Sequence, residues 1–202
     1  MTHEPSRHGV DLLRLLARFK PLDDVENELA WFKTRVPSVG THAYLNLVYK
    51  PVDARLRSRI GAELEFPACL YGFYERYNGA RLFMDSLSVY GLMDANEPYN
   101  RTPFGLQPFR ISQVNLEFCK NLSELEAICI GSYGYDRSLV CLRKSDLSIV
   151  CFRGTGFTKV RAQWVAFDDW LSSEVGRLAS MHDDSGVIQV DESLTLPEQG
   201  LQ

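Results

Sequence analysis

The sequence predicts an α+β fold: an antiparallel β-sheet with helices packed against it, preceded by a two-helix N-terminal extension. Three observations carry the prediction. Leu70, Phe73, Tyr74 and Tyr77 recur at the spacing of one helical face. Residues 127–130, 139–142 and 149–152 are short apolar runs separated by turn-forming stretches at 131–137 and 143–147, the pattern of an antiparallel meander. Phe167, Trp170, Leu171, Val175 and Leu178 then return to a helical period. At 202 residues and 45% hydrophobic, the chain can bury one good core. Residues 1–50 read as a helical extension, 51–182 as the α+β domain and 183–202 as an acidic, disordered tail.

Taken in order, Leu12, Leu15, Leu16 and Phe19 predict a first amphipathic helix that Pro21 ends. Val25, Leu29, Phe32 and Val36 predict a second, with Asp23, Asp24, Glu26 and Glu28 near its dipole-positive start. These helices cap an exposed face of the domain or form a dimer or partner surface. A loop or short strand follows over 43–49. Pro51 opens a helix with Val52, Leu56, Ile60 and Leu64 on one side. Its Arg55, Arg57 and Arg59 read as a solvated face in preference to an acidic-partner site.

Pro67 suits a first helical turn, where its missing N–H needs no partner. Asn78-Gly79 stops that helix, since both residues tolerate the left-handed conformation that closes a last turn. Short strands follow at 81–83 and 87–90. Residues 93–110, rich in Asn, Pro and Gly, read as a long irregular insertion, a length that suits a partner contact. Its Tyr99 and Phe104 are exposed anchors or a local mini-core. Val114 and Phe118 mark a helix over 112–121. Asp168 and Asp169 sit in the first turn of the last helix and complement its dipole. The tail from Asp183 carries five acids and no Lys or Arg, and its composition reads as disordered.

Several of these stretches resemble a known family. Pro67, then Phe73-Tyr74 and Asn78-Gly79 after an amphipathic helix, resemble the signature of the SUKH superfamily, which includes the fungal Smi/Knr cell-wall regulators. The run 128–136, ICIGSYGYD, with Gly131 and Gly134, resembles the family's strand and turn. The run 165–171, VAFDDWL, with Trp170, resembles its closing helix. The resemblance covers roughly residues 52–182. The chain departs from it at Phe66, where Leu is usual, and at Ala80, where a second Gly is usual; both changes preserve shape.

Chemistry is sparse in the sequence. Cys69, Cys119, Cys129, Cys141 and Cys151 are odd in number, lack CxxC pairing, and mostly lie in apolar runs, so they read as reduced core residues. His3, His8, His42 and His182 are scattered, which argues against zinc. Glu63/Glu65 and Glu124/Glu126 are spaced as carboxylate pairs but read as solvated element ends. Arg153-Gly154-Thr155-Gly156 lacks the Lys and following helix of a phosphate loop and reads as a hairpin turn. Removing the five tail acids from the 26 leaves 21 against 22 bases, so the body is near neutral and carries no nucleic-acid-binding stripe. No membrane-spanning run and no signal-like apolar core appear, so a cytoplasmic protein is expected.

The expectation is therefore a non-catalytic protein-binding domain with no cofactor and no metal, either monomer or homodimer. What the resemblance implies is a bacterial immunity protein that occludes the active site of a cognate toxin domain, such as a nuclease. The alternative it implies is a regulatory scaffold like the fungal relatives. Candidate contacts are Tyr133, Tyr135, Asp136 and Arg137 in the turn, with Tyr99, Arg101 and Phe104 in the long loop, since Tyr and Arg anchor interfaces most often.

Overall fold

Helix α2 (Ala54–Glu63) begins where Asp53 accepts hydrogen bonds from the N–H groups of Arg55 and Leu56, filling two donors that a helix start leaves open. The computed structural model describes residues 9–19, 30–35, 44–94, 107–118, 126–154 and 157–197. α2 leads through Glu65, at φ 53°, into α3 (Ala68–Arg76), with Pro67 as its N-cap. Leu70, Phe73 and Tyr74 bury one face of α3, as the spacing predicts. Each such side chain taken out of water contributes about 1.5–3 kcal/mol.

Among the described residues, eight strands form one antiparallel sheet in strict sequence order: β1 (Ala30–Arg35), β2 (Tyr44–Tyr49), β3 (Ala80–Leu82), β4 (Leu87–Val89), β5 (Ala127–Tyr133), β6 (Leu139–Arg143), β7 (Ile149–Phe152) and β8 (Val160–Trp164). The fold is α+β, and the predicted meander supplies β5, β6 and β7. The long helix α5 (Phe167–Ser180) packs on the sheet, its Trp170 ring 3.6 Å from where a Gly131 Cβ would stand. The Phe73 and Phe167 rings, 5.1 Å apart, join α3 to α5. Cys129, Cys141 and Cys151 are buried thiols outside any disulfide, and burial pushes the Cys151 thiol up to about 12.

The N-terminal region differs from the prediction. The first helix, α1 (Leu12–Leu15), is one turn capped by Asp11, and Leu12, Leu16 and Phe19 are fully buried. It belongs to the core and contacts α5. No second helix forms at 30–35: that stretch is the edge strand β1, paired with β2 from Ala30↔Tyr49 to Arg35↔Tyr44. The helical reading at Phe32 is overridden by pairing to an open strand, which the aromatic and β-branched residues Trp31, Phe32 and Thr34 suit. Val25, Leu29 and Val36 lie outside the described residues.

The family-like positions have plain packing roles. Asn78 is buried; its Nδ2 donates to the Leu92 carbonyl at 3.1 Å and its Oδ1 accepts from the Leu92 N–H at 2.6 Å. Gly79, at φ 84°, lies where any Cβ would fall 2.5 Å from the Val89 carbonyl oxygen. The Tyr74 hydroxyl donates to the Tyr90 carbonyl at 2.7 Å. Gly131 and Gly134 would each bring a Cβ to 2.4 Å from a backbone oxygen, of Ser88 and Asp85 respectively. The Gly-x-x-Gly spacing thus lets β5 and its turn lie against the β3–β4 hairpin.

After β4 the chain bonds back on itself: the Gly91 N–H donates to the Phe109 carbonyl and the Ile111 N–H to the Gly91 carbonyl, so the long insertion leaves and returns at one point. Within the predicted helix at 112–121, the described residues form a single α-turn, α4 (Ile111–Gln113), widened into a π-helical segment (Val114–Phe118); 119–121 lie outside the described residues. Asn115 accounts for its docking, exchanging hydrogen bonds with the Cys129 N–H and carbonyl, both at 2.8 Å.

The tail is a second correction. Residues 183–197 form a structured arm ending in a 3₁₀ turn (Glu192–Thr195), with Thr195 and Leu196 buried. Composition alone does not register the polar anchors. Asp183 and Asp191 each fold a local turn by accepting from a serine two residues on, Ser185 and Ser193. Among the described residues, no helix is long and apolar enough to cross a membrane.

Candidate functional site

Two turns lie side by side at one end of the sheet. The β3–β4 turn, 83–86, holds three consecutive non-glycine residues in the left-handed region: Phe83 at φ 53°, Met84 at 54° and Asp85 at 68°. Such residues cost about 1–2 kcal/mol each, so the surroundings must enforce them. The Phe83 N–H donates to Asn46 Oδ1 at 3.0 Å and the Met84 N–H to the Leu45 carbonyl at 2.9 Å. The Phe83 ring packs between Phe19 and His182. Asp85 takes a two-pronged ion pair from Arg81, which holds the Arg81 pKa above its usual value against the effect of burial. With Phe83 driven inward, Met84 is left outward and 46% exposed.

The β5–β6 turn, 134–138, is fixed to its neighbour by the Gly134 N–H donating to the Ser86 carbonyl at 3.3 Å. Asp136 accepts from the Ser138 N–H and hydroxyl and pairs with Arg161 at 2.7 Å. Tyr135 is 55% exposed, and Arg137, at φ 59°, is exposed beside it.

Beneath the turns lies a buried polar network. The Tyr133 hydroxyl donates to Glu174 at 2.8 Å, and Trp170 Nε1 donates to the Tyr133 oxygen at 3.4 Å. Arg177 grips Glu174 with two nitrogens and donates onward to the Leu194 and Thr195 carbonyls at 3.1 and 2.8 Å. Burial, then the Glu174 charge, holds the Tyr133 phenol well above its usual range. This network ties β5, α5 and the arm together. Arg18 adds a second tie, donating to the Ala179 and His182 carbonyls at the end of α5 and pairing with Asp184.

Two clefts flank the Asp85–Gly134 junction. One, of about 480 Å³, is walled by Tyr90, Phe109, Val114 and Leu139, with Arg137 at its rim. The other, of about 470 Å³, runs between the turns and the arm.

The structure sorts the sequence-predicted contacts. Tyr135 and Arg137 stand on the surface. Asp136 is half-buried and spent on Ser138 and Arg161. Tyr133 is a correction: it is the last residue of β5, and alternation along the strand turns it inward to Glu174, where it is fully buried. Tyr99, Arg101 and Phe104 lie outside the described residues. Glu65, one of the spaced carboxylates, pairs with Lys144 and is pulled below the usual carboxylate range by that hydrogen bond; Glu124 lies outside the described residues. Met84 and the arm's Leu194 have no signal in the sequence, because nothing there shows that a left-handed turn exposes the first or that the arm is docked. Among the described residues, no group of three or more His, Cys, Asp or Glu side chains is placed to hold a metal ion. No family model, curated protein or solved structure matches the chain.

Proposed function

We propose that the chain is a protein-binding domain of the SUKH type, acting without catalysis as an immunity protein that covers a toxin's active site. The observation that carries this reading is the end of the sheet. Two strained turns, locked to each other and to the core, hold Met84, Tyr135 and Arg137 out to solvent. A rigid platform presenting an aromatic, a thioether and a guanidinium has the composition of an interface centre. Rigidity also reduces the ordering cost that weakens binding by mobile loops.

The regulatory-scaffold alternative draws on free N-terminal helices or a free tail. It is the weaker reading here, since α1 is part of the core and residues 183–197 are docked. The test is co-expression with the products of neighbouring reading frames. Growth rescue by this chain, together with a stoichiometric complex, supports immunity. Capture of several cellular proteins without rescue would leave the scaffold.

A further inference from the structure

The cleft between the turns and the arm carries an inference that rests on, and deepens, the protein-binding reading. Its floor and walls are Phe83, Met84, Tyr135, His182, Ile188 and Glu192. Next to these lining residues in the arm, Val187 and Leu194 are exposed apolar side chains, Leu194 at 53%. The groove therefore sets apolar side chains, Phe83, Met84, Tyr135 and Ile188, among polar ones that include Ser86, Glu192 and Thr195. Its charge is one-sided. From 178 to 197 the sequence contains Asp183, Asp184, Asp191 and Glu192 and no Lys or Arg. Asp183 and Asp191 are held ionised by hydrogen bonds from Ser185 and Ser193.

Among the described residues, three nearby arginines are committed elsewhere. Arg81 is bound to Asp85, Arg177 to Glu174 and two carbonyls, and Arg18 to Asp184 and two carbonyls. His182 donates Nδ1–H to the Leu178 carbonyl, and burial lowers its pKa. Arg137 lines the other cleft.

We propose that this groove docks a basic segment of a protein partner, an arginine or lysine flanked by apolar residues. The aliphatic stem lies against Met84 and Ile188, and the cationic head reaches Glu192. The exposed Tyr135 ring offers a guanidinium a face to stack on. The acidic arm draws the segment in and disfavours acidic competitors. A partner with a basic, phosphate-binding surface is the kind this groove fits.

The test uses the full ¹⁵N-labelled chain titrated with a peptide of Gly-Leu-Arg repeats, and in parallel with the same peptide carrying glutamate for arginine. Amide shifts should move at residues 84–86, 134–135 and 186–195, with affinity falling as salt is raised. Glu192→Lys should weaken binding about three- to fivefold, the scale of a rim ion pair. Tyr135→Ala should weaken it about five- to thirtyfold, the scale of an interface anchor. Both residues are exposed, so unfolding midpoints should stay at the wild-type value. Shifts centred elsewhere, equal binding of the glutamate peptide, or an unaffected Glu192→Lys variant would each overturn the proposal. So would a concentration-dependent dimer that covers these residues.

The outcomes separate this inference from the immunity reading. Peptide binding in the groove without growth rescue removes immunity and keeps the groove. Growth rescue that survives Tyr135→Ala combined with Glu192→Lys removes the groove and keeps immunity.

Discussion

Replacing Asn78 tests the packing logic of the helix-to-sheet junction. Its side chain makes two hydrogen bonds with the backbone of Leu92, accepting from the N–H and donating to the carbonyl, and Leu92 is buried. Asn78→Ala strands both backbone groups. Each orphaned buried polar group costs about 1–3 kcal/mol, so the loss should be about 4 kcal/mol, a large share of a domain's stability. Asn78→Asp keeps the acceptor for the Leu92 N–H but sets an oxygen against the Leu92 carbonyl. Only a protonated carboxyl can donate there, and burial also favours the neutral form, so the folded pKa rises above the unfolded value of about 3.9. The sign follows from linkage. The folded state then binds more protons than the unfolded one, so stability is retained below about pH 4 and falls as pH rises through the folded pKa. Urea unfolding followed by tryptophan fluorescence, with each variant compared with wild type at pH 4 and pH 7, measures both effects. A cost under about 1 kcal/mol for Asn78→Ala, or a cost for Asn78→Asp that does not change with pH, would refute the reasoning.

Three further outcomes are expected. Gly131→Ala forces a methyl to 2.4 Å from the Ser88 carbonyl oxygen, so thermal unfolding should show a loss of about 1–3 kcal/mol from overpacking. Arg177→Met leaves Glu174 buried without its cation and should cost about 3–5 kcal/mol. It should also raise hydrogen exchange at residues 192–196, and adding Glu174→Gln should recover part of the stability. Burial holds the His182 imidazole below its ordinary value of 6.5, so its neutral form belongs to the fold. Its contribution to stability is present above that ordinary value and is lost as pH falls from there through the lower folded value. His182→Gln should therefore flatten the slope of stability measured between about pH 7 and pH 5.

Much of the fold is legible in the sequence because it rests on local periodicity. The face of α3, the three meander strands and α5 follow from apolar spacing alone. The Asn78-Gly79 stop is legible in place only, since α3 ends on an extended Tyr77 and Asn78 acts through its side-chain bonds to Leu92 and not by closing a left-handed turn. What is not legible depends on partners distant in sequence. β1 reads as helix until β2 is there to pair with it. The arm reads as disordered because its composition is polar, and its docking depends on Arg18 and Arg177, each committed to a segment that spacing rules cannot connect. The candidate surface is half legible. The glycines and tyrosines of 131–137 mark a turn, and Tyr135 and Arg137 are indeed exposed. Tyr133 reads as part of that turn, whereas β5 runs on to include it and turns it inward. Met84 gives no signal, because its exposure comes from a run of left-handed residues that propensity allows for Asp85 but not for Phe83 and Met84.

The central claim is that the turns at the end of the sheet bind a protein partner. The direct measurement is co-expression of the chain with the toxin-like product of a neighbouring reading frame, comparing wild type with a variant carrying Tyr135→Ala and Met84→Asn, since Asn tolerates the left-handed backbone there. The account predicts growth rescue by the wild type and its loss in the variant, with an unchanged unfolding midpoint. Rescue by the variant equal to the wild type would contradict it.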